Sequence, residues 1–140
     1  MRNFFVLSLL GLLFASCELE TSGNGHLDGF WQLCALDSLH NGKSVDMRQS
    51  GVFWAVQANL LEARSPAANV FFRFSHAGDS LLLSSPYINN RDSADIEVTD
   101  PALLRPLGVN RLDERFLVET LDGGTMVLRS TALRLYFRKY

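Results

Sequence analysis

Three histidines, two cysteines and a scatter of carboxylates are the side chains of this 140-residue chain that could do chemistry. Metal ligation by histidine calls for close spacings such as H-E-x-x-H or H-x-H, and His26, His40 and His76 have neither. All three fall in stretches that read as tether or turn. Two groupings of carboxylates, Asp95, Glu97 and Asp100 on one side and Asp113, Glu114 and Glu119 on the other, could supply an acid/base pair. Acidic residues at strand ends are in the first place solvated charge. The chain has no G-x-S-x-G elbow, no phosphate-binding glycine loop and no C-x-x-C pair. Cys34 sits in the apolar stretch Phe30 to Leu36 without a cysteine-hydrolase motif around it, so it reads as a small buried hydrophobe. These residues predict no catalytic group, no metal, no cofactor and no enzyme.

The other cysteine carries more information. Met1-Arg2-Asn3 brings one positive charge, and Phe4 to Phe14 follows with no charge at all. Eleven helical residues cover about 16 Å, half of a ~30 Å hydrocarbon core, so the run fits a cleaved targeting segment and not a span. Phe14-Ala15-Ser16-Cys17 resembles the lipobox of bacterial lipoproteins, which implies cleavage before Cys17 and a diacylglycerol on its sulfur. The other reading is an ordinary signal peptide cut nearby, leaving Cys17 as a free or disulfide-paired thiol in an oxidising compartment. Glu18 to Gly25 is polar and contains glycine, a flexible tether. Its acidic residues resemble the export signals of Bacteroidetes surface lipoproteins. The organisation expected is therefore a signal peptide over 1–16, a lipidated tether over 17–26 and one domain over 27–140. The expected location is the bacterial outer membrane, lipid-anchored, with the periplasmic or surface face left open.

Cleavage before Cys17 leaves about 124 residues, enough for one packed core. A net charge of −2 with no basic stripe disfavours nucleic acid as a partner. From Asp28 onward, short β-branched and aromatic runs are broken about every eight to twelve residues by turn formers. Strands are expected over Gly29 to Leu36, Val52 to Ala58, Val70 to Ser75 and Ser80 to Ser84. Turns are expected at Asn41-Gly42 and at His76 to Asp79. Ser85 to Asp95, with Pro86 and two asparagines, reads as a loop or irregular edge. Asp100-Pro101 has the form of an N-cap followed by proline in the first turn, predicting one short helix over Asp100 to Arg105 that Pro106 and Gly108 end. Arg115 to Leu121, Thr125 to Ser130 and Thr131 to Arg138 close the chain as consecutive strands around the Asp122-Gly123-Gly124 turn. In the last of them Leu133, Leu135 and Phe137 face one way and Arg134, Tyr136 and Arg138 the other.

Seven or eight antiparallel strands with one short helix point to an all-β meander that closes into a barrel to remove its edges. Gly29-Phe30-Trp31 matches the G-x-W motif that opens the first strand of lipocalins, and Leu135 to Tyr140 looks like the last strand of the small lipocalin-like lipoproteins of Bacteroidetes. The resemblance implies a lipocalin-like barrel of about eight strands. It also implies that Trp31 closes one end of the core, with an arginine of the final strand, Arg134 or Arg138, laid across its ring.

Two functions fit such a barrel. The first is binding of a small hydrophobic or amphipathic ligand, with Phe53, Trp54, Phe72, Phe74, Leu83, Met126 and Leu128 as the wall. The alternative is an accessory lipoprotein with a filled barrel that docks to an envelope protein, for which Phe71, Tyr87, Ile88 and Tyr136 are the candidate exposed anchors. In both, the membrane is a partner through Cys17.

Overall fold

Period-two alternation of apolar and polar residues becomes ten strands in the computed structural model, which describes residues 23–140. They are β1 (Gly29–Ser38), β2 (Ser44–Asp46), β3 (Phe53–Gln57), β4 (Leu60–Arg64) and β5 (Asn69–Ala77), then β6 (Ser80–Ile88), β7 (Ile96–Glu97), β8 (Glu114–Leu121), β9 (Thr125–Arg129) and β10 (Leu133–Lys139). Eight of them pair in the cycle β1-β3-β4-β5-β6-β8-β9-β10, and β10 returns to β1 from Trp31 opposite Lys139 to Ser38 opposite Leu133. Every pairing in this ring is antiparallel. Closure removes the free edges that an open meander would present. The two remaining strands are short additions, β2 on β1 and β7 on β6.

The alternation of each strand sends one set of side chains inward. Trp31, Leu33, Trp54, Leu61, Phe72, Leu83, Phe116, Met126, Leu128 and Leu135 are all fully buried and belong to a single cluster. The tight turns β3–β4, β5–β6 and β8–β9, the start of β1 and the C-terminus share one end of the barrel. There a 3-10 turn over Gly25–Leu27 buries Leu27 beneath Trp31. The longer connections, residues 39–52 and 89–113, lie at the opposite mouth.

Several elements depart from the sequence reading, among them the short β2 and β7, which it did not contain. β4, Leu-Leu-Glu-Ala-Arg, was not expected, because these are helix formers and the turn before it is made by Ala58 at φ 53° where glycine or asparagine is usual. β6 continues through Ser85 and Pro86 to Ile88. Ser85 takes φ 52° opposite a register shift between Phe71 and Arg73, so the irregularity read there is a bulge and not the end of the strand. His76 lies inside β5 opposite Leu81, half-buried, and the turn begins after Ala77. The short helix is present as two successive 3-10 turns, Pro101–Leu103 and Arg105–Leu107. Asp100 Oδ1 accepts from the Ala102 amide at 2.9 Å and Gly108 ends the second turn at φ 90°. Pro106 is accommodated inside that second turn instead of ending it.

Candidate functional site

The side chains expected to line a ligand cavity do come together. Trp54, Phe72, Leu83, Met126 and Leu128 are fully buried, and Phe74 is half-buried against the same cluster. Phe53 does not join them. It neighbours Trp54 in one strand, so the pleat that turns Trp54 inward turns Phe53 out.

What these residues meet is the chain itself. The connection between β6 and β8 folds into the mouth of the barrel and buries Leu104, Leu107 and Val109. Trp54 Nε1 donates to the Leu107 carbonyl at 3.1 Å, deep in the core. The Trp54 ring stands 4.7 Å from Phe137 and 5.8 Å from Phe116, centroid to centroid. Gly108 passes so close to the wall that a Cβ there would lie 2.5 Å from Leu135 Cδ2. The space in which an eight-stranded barrel holds one small ligand is occupied here by a plug of its own sequence.

At the other end, Trp31 is sealed. Its indole Nε1 donates to the Leu27 carbonyl at 2.9 Å, and Lys139 Nζ stands 4.7 Å from the ring centroid. The cation over this tryptophan is therefore Lys139 and not Arg134 or Arg138. Lys139 is the direct cross-strand partner of Trp31 and follows Leu133, Leu135 and Phe137 on the inward face. Arg134 points outward, where Nε bonds Glu119 Oε1 at 2.7 Å, and Arg138 is exposed. Gly29 completes the arrangement: its φ of 131° suits glycine, and a Cβ would come 3.0 Å from Lys139 Cε. Lys139→Met should cost about 1 kcal/mol, the loss of a partly solvated cation–π contact, with the cooperativity of urea unfolding unchanged.

The outer wall carries the second candidate surface. Phe30, Ala55, Glu62, Phe71 and Tyr87 are successive cross-strand partners across β1, β3, β4, β5 and β6. Phe71 and Tyr87 stack at 5.4 Å, and Phe30 and Phe53 at 4.9 Å with planes 6° apart. Tyr140, 78% exposed, stands edge-on to both Phe30 and Phe53, and the Arg64 guanidinium lies 5.4 Å from the Phe30 ring. Arg64 also bonds Glu62 at 2.6 Å. Two grooves, of 690 and 350 Å3, open along this row and share Glu62, Arg64 and Phe71. Of the expected anchors, Phe71, Tyr87 and Ile88 border this surface, Ile88 being half-buried against the core cluster. Tyr136 lies elsewhere, on the outer side of β10, where its hydroxyl donates to Asp37 Oδ2 at 2.8 Å. That bond pushes the Tyr136 hydroxyl above its usual range, and Ser44 and Tyr136 together lower Asp37. Sequence reasoning missed Phe30, Phe53 and Tyr140 as surface groups. The signal was available in the pairs Phe30-Trp31 and Phe53-Trp54, since adjacent strand residues cannot both face in.

The remaining reactive groups stay apart. Cys34 is half-buried at a register shift in β1, its thiol 3.5 Å from the Gln32 carbonyl. His26 and His40 are exposed, and among the described residues no group of three His, Cys, Asp or Glu side chains is placed to hold a metal. Among the described residues Glu114 differs from the other carboxylates in being buried, with Oε2 lacking a hydrogen-bond partner. Cys17 and the lipobox lie outside the described residues.

An eight-stranded antiparallel barrel, entered by G-x-W and closed beneath its tryptophan by a 3-10 turn, defines a lipocalin-like protein. The chain belongs to the family of the Lipocalin-like domain, whose model matches residues 12–140. It is similar to the crystal structure of a lipocalin-like protein from Bacteroides uniformis, at 23% identity and a TM-score of 0.62, over 83% of this chain and 100% of that one. A second similar structure, an uncharacterized protein from Bacteroides eggerthii, has 19% identity and a TM-score of 0.55 over 81% of this chain and 98% of the other. Among curated proteins none matches. At these identities the likeness speaks for the fold alone.

Proposed function

We propose that this chain is a lipid-anchored lipoprotein of the bacterial outer membrane, held through a diacylglycerol on Cys17, whose barrel docks an envelope protein through the outer wall of β1 and β3 to β6. The row Phe30, Ala55, Glu62, Phe71 and Tyr87, with its two grooves, carries this reading. Aromatic side chains and arginine are the types that dominate binding energy at protein interfaces. Here they are already held by stacking and by the Glu62–Arg64 pair, so less side-chain freedom would be lost on docking. The interior points the same way, because its apolar side chains are spent on one another and on the plug. Carriage of a small hydrophobic or amphipathic molecule in the barrel is the second reading; it requires Leu104, Leu107 and Val109 to give up their place. No catalytic residue enters either reading.

A photo-crosslinking residue in place of Phe71, in the whole lipidated chain in cells, tests the docking face. Arg129, exposed on β9 across the barrel, serves as the comparison position. A discrete protein adduct from position 71 that is absent from position 129 is the expected result, weakened when Cys17→Ser removes the anchor. Equal adducts at both positions, or none at 71, would overturn the docking face. Equal fatty-acid labelling of the parent and Cys17→Ser forms would remove the lipid anchor.

A further inference from the structure

The plug is moored in an unusual way. It leaves β6 where the Val98 amide donates to the Pro86 carbonyl at 2.9 Å, and it rejoins the barrel at Glu114, the first residue of β8. Glu114 faces inward at 2% exposure, and its Oε2 has no hydrogen-bond partner. From β6 its cross-strand partner is Leu83, from the β9–β10 turn Ser130 hydrogen-bonds its carboxyl, and from the connection itself Arg111 hydrogen-bonds it through the backbone and is the charged group facing it.

We propose that residues 98–113 are a releasable plug, seated while the Glu114 carboxyl is uncharged and expelled from the barrel mouth when that carboxyl ionises. The proposal is independent of the docking face. Ser130 and the Arg111 backbone hydrogen-bond the Glu114 carboxyl, but its Oε2 is buried without a partner, and an ionised oxygen so placed must gain a proton, gain a partner or move to water. Moving to water is easiest here, because Glu114 begins its strand and is the root of the loop. The plug is fastened by the buried side chains of Val98, Leu104, Leu107 and Val109, with Leu112 half-buried, by the hydrogen bond of the Arg111 backbone to Glu114, and by Trp54 Nε1 donating to the Leu107 carbonyl. Its other hydrogen bonds, Leu107 to Leu104, Gly108 to Arg105 and Val109 to Leu104, are internal and leave with it. Release would uncover Trp54, Leu33 and Leu135, an apolar surface suited to a hydrophobic molecule.

Burial pushes the Glu114 carboxyl above its ordinary value of 4.5, with Arg111 and Ser130 opposing the rise. A group raised in the seated state favours that state most below the ordinary value, and the advantage is lost as pH rises through the elevated one. Acid therefore closes the mouth and alkali opens it.

Amide hydrogen exchange on the whole chain from about pH 4 to about pH 9, each rate corrected for its intrinsic pH dependence, reads this directly. Protection of Leu107, Gly108 and Val109 should fall with rising pH, while Leu61 and Phe72 in the strands keep theirs. Glu114→Gln should keep the plug protected throughout. Arg111→Gln, which removes a charge favouring the ionised form, should move the loss of protection to higher pH. Protection of 107–109 that is flat with pH in the parent chain, or a strand core that loosens in parallel, would overturn the proposal. So would a pH dependence that survives in Glu114→Gln or, should that variant not fold, one left unmoved by Arg111→Gln.

Discussion

Trp31→Ala is expected to lower stability by about 3–5 kcal/mol, the range for truncating a fully buried large aromatic. Three losses add at this position. The indole leaves a cavity under Leu27, in a core where both residues are fully buried. The Leu27 carbonyl loses the Nε1 donor that now lies at 2.9 Å, and a buried acceptor left unpaired adds about 1–3 kcal/mol. Lys139 loses the ring beneath its ammonium. Trp31→Phe separates the terms, since it keeps an aromatic ring and removes the donor, and it should cost less than half as much. Urea unfolding followed by circular dichroism measures both. A midpoint for Trp31→Ala within error of the parent would mean that the G-x-W tryptophan does not hold this end of the barrel.

The parts of the fold legible in the sequence are those where local preference and final structure agree. β9 and β10 alternate cleanly, β8 does so as far as a register shift between Val118 and Thr120, and β8 and β9 are joined at Asp122, whose Oδ1 accepts from the Gly124 and Thr125 amides at 2.9 and 2.7 Å, so the hairpin is written in its own turn. β4 shows the opposite case. Leu60-Leu61-Glu62-Ala63-Arg64 favours a helix when taken alone, and it becomes a strand because β3 and β5 pair with it on both sides. The candidate site divides along the same line. A pleat can be counted, so the inward course of Trp54, Phe72 and Leu128 follows from alternation, and the outward course of Phe53 should have followed too. The cation over Trp31 was sought in the wrong phase: Arg134 and Arg138 alternate outward, and the inward partner one residue further on is Lys139. The plug left no periodic signal. Leu104, Leu107 and Val109 sit in 3-10 turns too short for a helical stripe, and what buries them is a barrel mouth assembled from distant strands. Glu114 likewise reads as one more acidic residue at a strand end, because burial of a carboxylate depends on what folds over it.

Gly108 puts the plug itself to a mechanical test. Its φ of 90° is a conformation that L side chains rarely adopt, which by itself costs roughly 1–2 kcal/mol on substitution. Gly42 is the natural control, with φ 67° and nothing within 4 Å of an added Cβ, so Gly42→Ala should cost the conformational part alone. At Gly108 the added carbon would also stand 2.5 Å from Leu135 Cδ2, with Leu33 Cδ2 next at 3.7 Å. Leu135 cannot easily retreat, because it is fully buried and its backbone is paired on both sides, with Leu36 of β1 and Leu128 of β9. Overpacking of this kind adds about 1–3 kcal/mol, so Gly108→Ala should cost about 2–5 kcal/mol in all if the plug stays seated. The seated plug can escape that cost by leaving, which divides the outcome in an informative way. A large fall in the urea midpoint with unchanged protection of Leu107 and Val109 would mean that the plug is an integral part of the core. A small fall, accompanied by loss of protection at those two amides alone, would mean that the mouth opens before the barrel yields, as a releasable plug requires. A cost no greater than that of Gly42→Ala with protection intact would show that Gly108 is not pressed against Leu135 at all.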